Sequence, residues 1–146
     1  MVGKKDKIPI VKGTLRIFVK RKGKWVKVVE RKNVITNSGL SQAIKLIFGV
    51  DTTYFKYIAI GTGTTQPSKS DTQLENEIQR FSATAEYSDP YNVTLTAVGT
   101  VNQDADITEV GTFNEETGGI MLARQVIDPV SFESGDPIKI EWEFSF

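Results

Sequence analysis

The last nine residues of the chain alternate without a fault. Ile138, Ile140, Trp142, Phe144 and Phe146 fall on one side of the run, and Lys139, Glu141, Glu143 and Ser145 on the other. A period of two marks a strand with one buried face. Such a strand needs neighbours to pair with and an apolar layer to cover it, so the sequence must build at least one sheet with a core beneath it.

The rest of the chain agrees with that demand. Thr14 to Lys20 alternates, Arg21-Lys22-Gly23-Lys24 reads as a turn, and Trp25 to Ile35 supplies a return strand, which makes a hairpin. Thr36-Asn37-Ser38-Gly39 offers capping hydroxyls to a helix over about Gly39 to Phe48, where Leu40, Ala43, Ile44 and Ile47 recur at helical spacing and Gly49 supplies a left-handed stop. A strand over Tyr54 to Gly61 runs into a loop through Pro67. Ser70 to Glu75 has the cap and acidic first turn of a second short helix reaching about Gln79. Strands then follow over Phe81–Tyr87, Tyr91–Val101, Ile107–Phe113 and Ile120–Ile127, separated by turn-forming residues, before the closing strand. Seven or eight strands with one or two short helices predict a mainly β chain: a single antiparallel β-sandwich or barrel of Greek-key or jelly-roll type. Residues 1–13 read as a basic N-terminal arm and residues 14–146 as one β-rich domain.

The 146 residues include no cysteine and no histidine, which closes off disulfide scaffolds, thiol nucleophiles, Cys/His zinc sites and histidine acid–base chemistry. Net charge is zero, but the average hides a polarity. Residues 1–36 carry twelve basic and two acidic side chains, a net of +10, and the other 110 residues carry −10. Ile8-Pro9-Ile10-Val11 is too short for the apolar stretch of a signal peptide, and no apolar run approaches a bilayer span.

A series of motifs covers about four-fifths of the chain. Asn33-Val34-Ile35-Thr36-Asn37-Ser38-Gly39-Leu40 is followed by Tyr57-Ile58-Ala59-Ile60-Gly61-Thr62-Gly63-Thr64-Thr65, then by Pro67, Ser70-Asp71-Thr72 and Leu74-Glu75-Asn76-Glu77. Ile107-Thr108-Glu109-Val110-Gly111-Thr112-Phe113-Asn114, Met121-Leu122-Ala123-Arg124 and Ile140-Glu141-Trp142-Glu143-Phe144 complete it. In order and spacing these resemble small domains of tailed-phage tail-fibre and related virion structural proteins. The resemblance implies an assembly role and no catalytic residues. The sequence departs from that family at Thr112, where an aliphatic residue is usual, and many members of the family lie within much longer fibre chains.

The residues themselves offer few rivals to a structural role. Gly61-Thr62-Gly63 lacks the Gly-Lys-Ser/Thr of a phosphate loop and reads as a strand exit. Asn102, Asp104 and Asp106 lack the glycine and distal glutamate of a calcium loop and read as a turn. Glu141 and Glu143 lie on the polar face of their strand, so solvent exposure rather than acid–base work is expected. Trp142 is expected in the core, whereas Trp25 is open to an interface role. No catalytic, cofactor-binding or metal-binding residue is assigned. An assembly interface is assigned to Lys4, Lys5, Lys7, Ile8, Ile10, Val11, Lys12 and Trp25, because opposite charges on two parts of one protomer suit contacts between subunits. The expected function is a non-enzymatic structural component of a phage or phage-like virion on the tail-fibre or baseplate side, assembled in the host cytoplasm. Its expected partners are further copies of itself, as a homo-oligomer, and other virion proteins, with no membrane. A capsid decoration (cement) protein is the alternative. A nucleic-acid-binding module using the basic segment is a further one, although the acidic remainder argues against it.

Overall fold

The computed structural model describes residues 11–145. Of the residues assigned to an assembly interface, Lys4, Lys5, Lys7, Ile8 and Ile10 lie outside that range, as does Phe146. Two antiparallel sheets of five strands each face one another, and neither closes into a barrel. The elements in chain order are β1 (Lys12–Arg21), β2 (Lys24–Lys32), β3 (Val34–Ile35), α1 (Asn37–Ile47), β4 (Tyr57–Gly61), β5 (Glu77–Ser82), β6 (Thr84–Ser88), β7 (Asn92–Thr100), β8 (Ala105–Phe113), β9 (Met121–Phe132) and β10 (Pro137–Ser145). One sheet has the order β2-β1-β10-β7-β6 and the other β3-β9-β8-β4-β5.

The alternating terminal strand sits at the centre of its sheet. β10 pairs with β1 on one side and β7 on the other, and its inward residues Ile138, Ile140, Trp142 and Phe144 are all buried. Leu15 and Ile17 of β1, Leu95 and Ala97 of β7, and Ile58, Ile60, Ile107 and Val110 of the facing sheet complete that core. Trp142 stacks on Phe144 with ring centroids 5.9 Å apart, and its indole N–H donates to Asn33 Oδ1 at 2.6 Å. Gly13 makes room for that contact, because a Cβ there would fall 2.1 Å from Asn33 Oδ1. The first hairpin turns through Lys22 and Gly23, both at positive φ, as a two-residue loop requires.

Several local expectations give way to longer-range pairing. Lys12 and Gly13, read as part of the arm, already belong to β1 and pair with Ser145 and Phe144. The return strand of the hairpin does not run unbroken to Ile35. It breaks at Asn33 and crosses to the other sheet, where Val34 and Ile35 pair with β9. The Phe81–Tyr87 strand likewise divides at Ala83, leaving β5 in one sheet and β6 in the other. β9 continues through Pro129, which lies in an irregular stretch of its pairing with β8 and so interrupts no regular ladder there.

The second helix does not form. Residues 71–76 are irregular and lead directly into β5. The groups expected to cap a helix there hold tertiary contacts instead. Asp71 accepts from Ser68 N–H and Arg124, Glu75 from Thr64 and Thr65, and the Glu75 and Asn76 amides donate to Glu109. α1 does form, capped by the Thr36 hydroxyl, which accepts from Gly39 N–H at 2.9 Å, and Gly49 follows at φ +69°. Its buried side differs from the one the apolar spacing suggests. Gly39 and Gln42 face inward, whereas Ile44 and Ile47 are exposed.

Candidate functional site

Residues 62–76 fold back as a flap over the outer face of the β3-β9-β8-β4-β5 sheet. Leu74 rests there on Ala59, Phe113 and Met121, forming a second small apolar cluster outside the main core. Gly111 leaves the space for it, since a Cβ at that position would come within 2.8 Å of Leu74 Cδ2. Both faces of this sheet are therefore covered, one by the opposite sheet and one by the flap.

Glu109 stands beneath the flap, fully buried. Its Oε2 accepts from the backbone N–H groups of Gly63 (2.8 Å) and Asn76 (2.7 Å), and its Oε1 from Glu75 N–H (2.8 Å) and Arg124 Nε (3.1 Å). Arg124 Nη2 is also 3.1 Å from Oε1 but is not aligned to donate to it, and Nη1 reaches Asp71 at 3.1 Å. Thr108 Oγ1 donates to Gly63 C=O at 2.8 Å, and Thr62 N–H donates to Asn76 C=O at 3.0 Å. One carboxylate thus ties both limbs of the flap to β8. Gly61 and Gly63 must be small here, because a Cβ on either would fall within 2.6 Å of Glu109 Oε2.

This geometry leaves Glu109 no chemistry beyond anchoring. An ionised carboxylate has about four acceptor positions, and here each oxygen already takes two donors, out of contact with solvent. Glu75, at the flap surface, is held below the usual carboxylate range by the Thr65 hydroxyl first and then by the Thr65 and Thr64 amides. Sequence reasoning did not single out Glu109 or Arg124 as a pair. The available signal was a glutamate and an arginine inside otherwise apolar strands, which need partners if they are buried.

The assigned interface residues that the structure describes do not converge on one spot. Val11 lines a small apolar depression of about 170 Å³ with Tyr91, Val93, Phe144 and Ser145. Lys12 opens β1 at the same end of the sheet. Trp25 lies on the outer face of the hairpin, half-buried, with Lys20 Nζ 5.2 Å and Lys139 Nζ 5.5 Å from its ring centre. β2 is an edge strand of its sheet and carries Lys24, Lys27, Arg31 and Lys32, a charged edge that discourages pairing with another chain. Arg16 pairs with Glu30 and Glu143, and Arg31 with Asp128, so part of the basic hairpin is balanced by acids of the same chain.

The other residues weighed in the sequence are in structural use. Glu141 and Glu143 lie half-exposed on the outer face of β10. Asp104 accepts from Ser134 N–H at 2.8 Å, and Asp106 from Ser131 Oγ at 2.6 Å, so the two carboxylates hold separate contacts across the β8–β9 end. A groove of about 500 Å³ lies between the basic hairpin and β9, with Val19, Lys20, Val28 and Val130 in its walls. Compared with models of protein families, with curated proteins and with solved structures, the chain matches none.

Proposed function

We propose that the chain is a non-enzymatic structural component of a phage or phage-like virion, placed on the tail-fibre or baseplate side. The observation that supports this reading is the use made of the polar residues in the motif series. Asp71, Glu75, Asn76, Glu109 and Arg124 all serve to fasten the flap onto the sandwich. A carboxylate such as that of Glu109, held in a dry site by the backbone amides of the flap, is suited to making one rigid shape, which is what a repeated building block needs.

The test is antibody labelling of purified particles from the source of the chain. Label on the tail or baseplate is the expected result. Label confined to the shell favours the decoration alternative. Particles without label, while the chain stays in the soluble fraction, refute a virion role. A nucleic-acid reading retains one specific support: nine cations and Trp25 within residues 12–32, against Glu30 alone. A DNA-binding hairpin loses affinity steeply as salt rises, so a mobility-shift series in salt separates it from assembly.

A further inference from the structure

The flank of the sandwich beside the first hairpin is open in both sheets. β2 is the edge of one sheet. In the other, β3 pairs only with Arg124 and Ala123, so among the described residues β9 has no strand beside it on that side from Gln125 to Phe132. The two free edges are tied together at one end. Gln125 accepts from Val126 N–H at 2.8 Å and donates to Lys32 C=O, and Arg31 reaches Asp128 at 3.5 Å. Toward the hairpin turn the edges part into the groove of about 500 Å³, with Val19, Val28, Pro129, Val130 and Phe132 as its apolar walls. Val19, Val28 and Val130 are only partly buried against the core, which leaves apolar surface for an occupant.

We infer that residues 8–10 of a second copy lie in this groove as an extended strand along the free edge of β9, a contact between the arm of one protomer and the flank of the next. It rests on the assembling role proposed above and gives the arm its receptor. Reach is the first ground for this occupant. β1 carries the chain from Lys12 to Val19, a rise of about 23 Å, whereas Ile10 and Ile8 extend no more than about 7 and 14 Å from Lys12. The molecule's own isoleucines fall short of the hairpin end of the groove, so only those of another copy arrive there.

Pattern and charge agree with reach. In a strand, Ile8 and Ile10 share one face, and their N–H and C=O groups turn toward the same neighbour. Pro9 between them then turns its missing donor away from β9, where an added edge strand tolerates proline. Main-chain bonds to a free edge supply affinity and alternate side chains supply specificity, and β2, with its row of cations, is the less suited of the two edges. Lys4, Lys5 and Lys7, against Asp6, precede the apolar residues of the arm. Acids gather on the β9 side of the groove. Asp128 is 95% exposed, and Asp136 and Asp104 accept from the Glu133 and Ser134 amides of the turn after β9. With Glu133 these four carboxylates outweigh Lys20 and Arg21 across the groove, a field that favours a basic segment.

Sedimentation equilibrium of the full chain tests this. The wild type is expected to self-associate, and an arm variant, Ile8→Asp with Ile10→Asp, to weaken association by more than about tenfold. Val28→Arg and Pro129→Arg, which place a long cation in the groove, should do the same, with thermal unfolding to check that each is folded. Pro129 is exposed, so its variant serves if Val28→Arg unfolds. Mixing then decides. The arm variant keeps its groove and Pro129→Arg keeps its arm, so the two, each monomeric alone, should form a one-to-one pair. A wild type that stays monomeric at its highest soluble concentration overturns the inference. So does association that survives in the arm variant or in the folded groove variants, or a mixture that does not pair. Each of these removes the groove as receptor and leaves the virion role to the particle labelling above. Unlabelled particles together with a mixture that pairs remove the virion role and keep this contact.

Discussion

Thr112 is buried in the middle of β8, and its hydroxyl finds no partner. Its pairing neighbours are Ile58 and Ala123, so the oxygen sits in an apolar layer. Valine has the same shape without the hydroxyl that must be desolvated. Thr112→Val is therefore expected to stabilise the fold by about 1 kcal/mol, raising the melting temperature by about 2–4 °C for a domain of this size. A fall in melting temperature would mean that the hydroxyl has a partner in solution. Glu109 is the opposite case, a buried charge with every acceptor position filled. Glu109→Gln turns a donor toward backbone amides and leaves Arg124 undercompensated, so a loss of about 3–5 kcal/mol in denaturant unfolding is expected. In a simple buried ion pair, replacing both partners by methionine often restores stability. Here the Glu109→Met, Arg124→Met double variant should fail to recover, because the amides of Gly63, Glu75 and Asn76 lose their acceptor as well.

At the scale of elements, the flap is the part whose hold depends on pH. Glu75 fastens its tip through Thr64 and Thr65, and its folded pKa is depressed below the unfolded one. A depressed carboxylate contributes its full stabilisation above the unfolded value, and that contribution is lost as pH falls through the folded value. Loosening of the flap is thus expected below about pH 4, starting from an ordinary glutamate value near 4.3. Amide hydrogen exchange of residues 62–76 should accelerate there before the central strands do, and Glu75→Gln should show the faster exchange already at neutral pH. Uniform exchange across flap and sandwich would show that the tip contacts are immaterial. The same element explains the missing second helix: an irregular path over the sheet satisfies the Glu75 and Asn76 amides with a buried carboxylate, which a helix of the same residues does not.

For the whole molecule, the segregation of charge by sequence is only partly preserved in space. Arg16 and Arg31 of the basic hairpin lie within reach of Glu143 and Asp128 of the acidic remainder. Exposed pairs of this kind contribute little, about 0–1 kcal/mol each, and are screened beyond about 10 Å at 0.1 M salt. Residues 1–10 add three more cations and the apolar Ile8 and Ile10. Their deletion, with β1 intact from Lys12, is expected to leave the melting temperature of the sandwich unchanged while slowing docking onto particles at low salt. If deletion instead abolishes DNA binding and leaves docking intact, the arm serves nucleic acid rather than assembly.

Alternation in Ile138–Phe146, the turn at Arg21-Lys22-Gly23-Lys24 and the capping hydroxyls of Thr36 to Gly39 were legible in the sequence, because each depends on a residue and its immediate neighbours. They were enough to establish a mainly β fold with Trp142 inside. Tertiary structure alone decided where Asn33 and Ala83 pass the chain between sheets, that Ser70–Asn76 lies flat as a flap, and which side of α1 turns outward. Each of these depends on a partner far along the chain. Asn33 meets Trp142, the flap amides meet Glu109, and Gly39 meets Leu122. Local propensities amount to a few tenths of a kcal/mol per residue, whereas leaving one buried polar group without a partner costs about 1–3 kcal/mol, so the distant contact prevails.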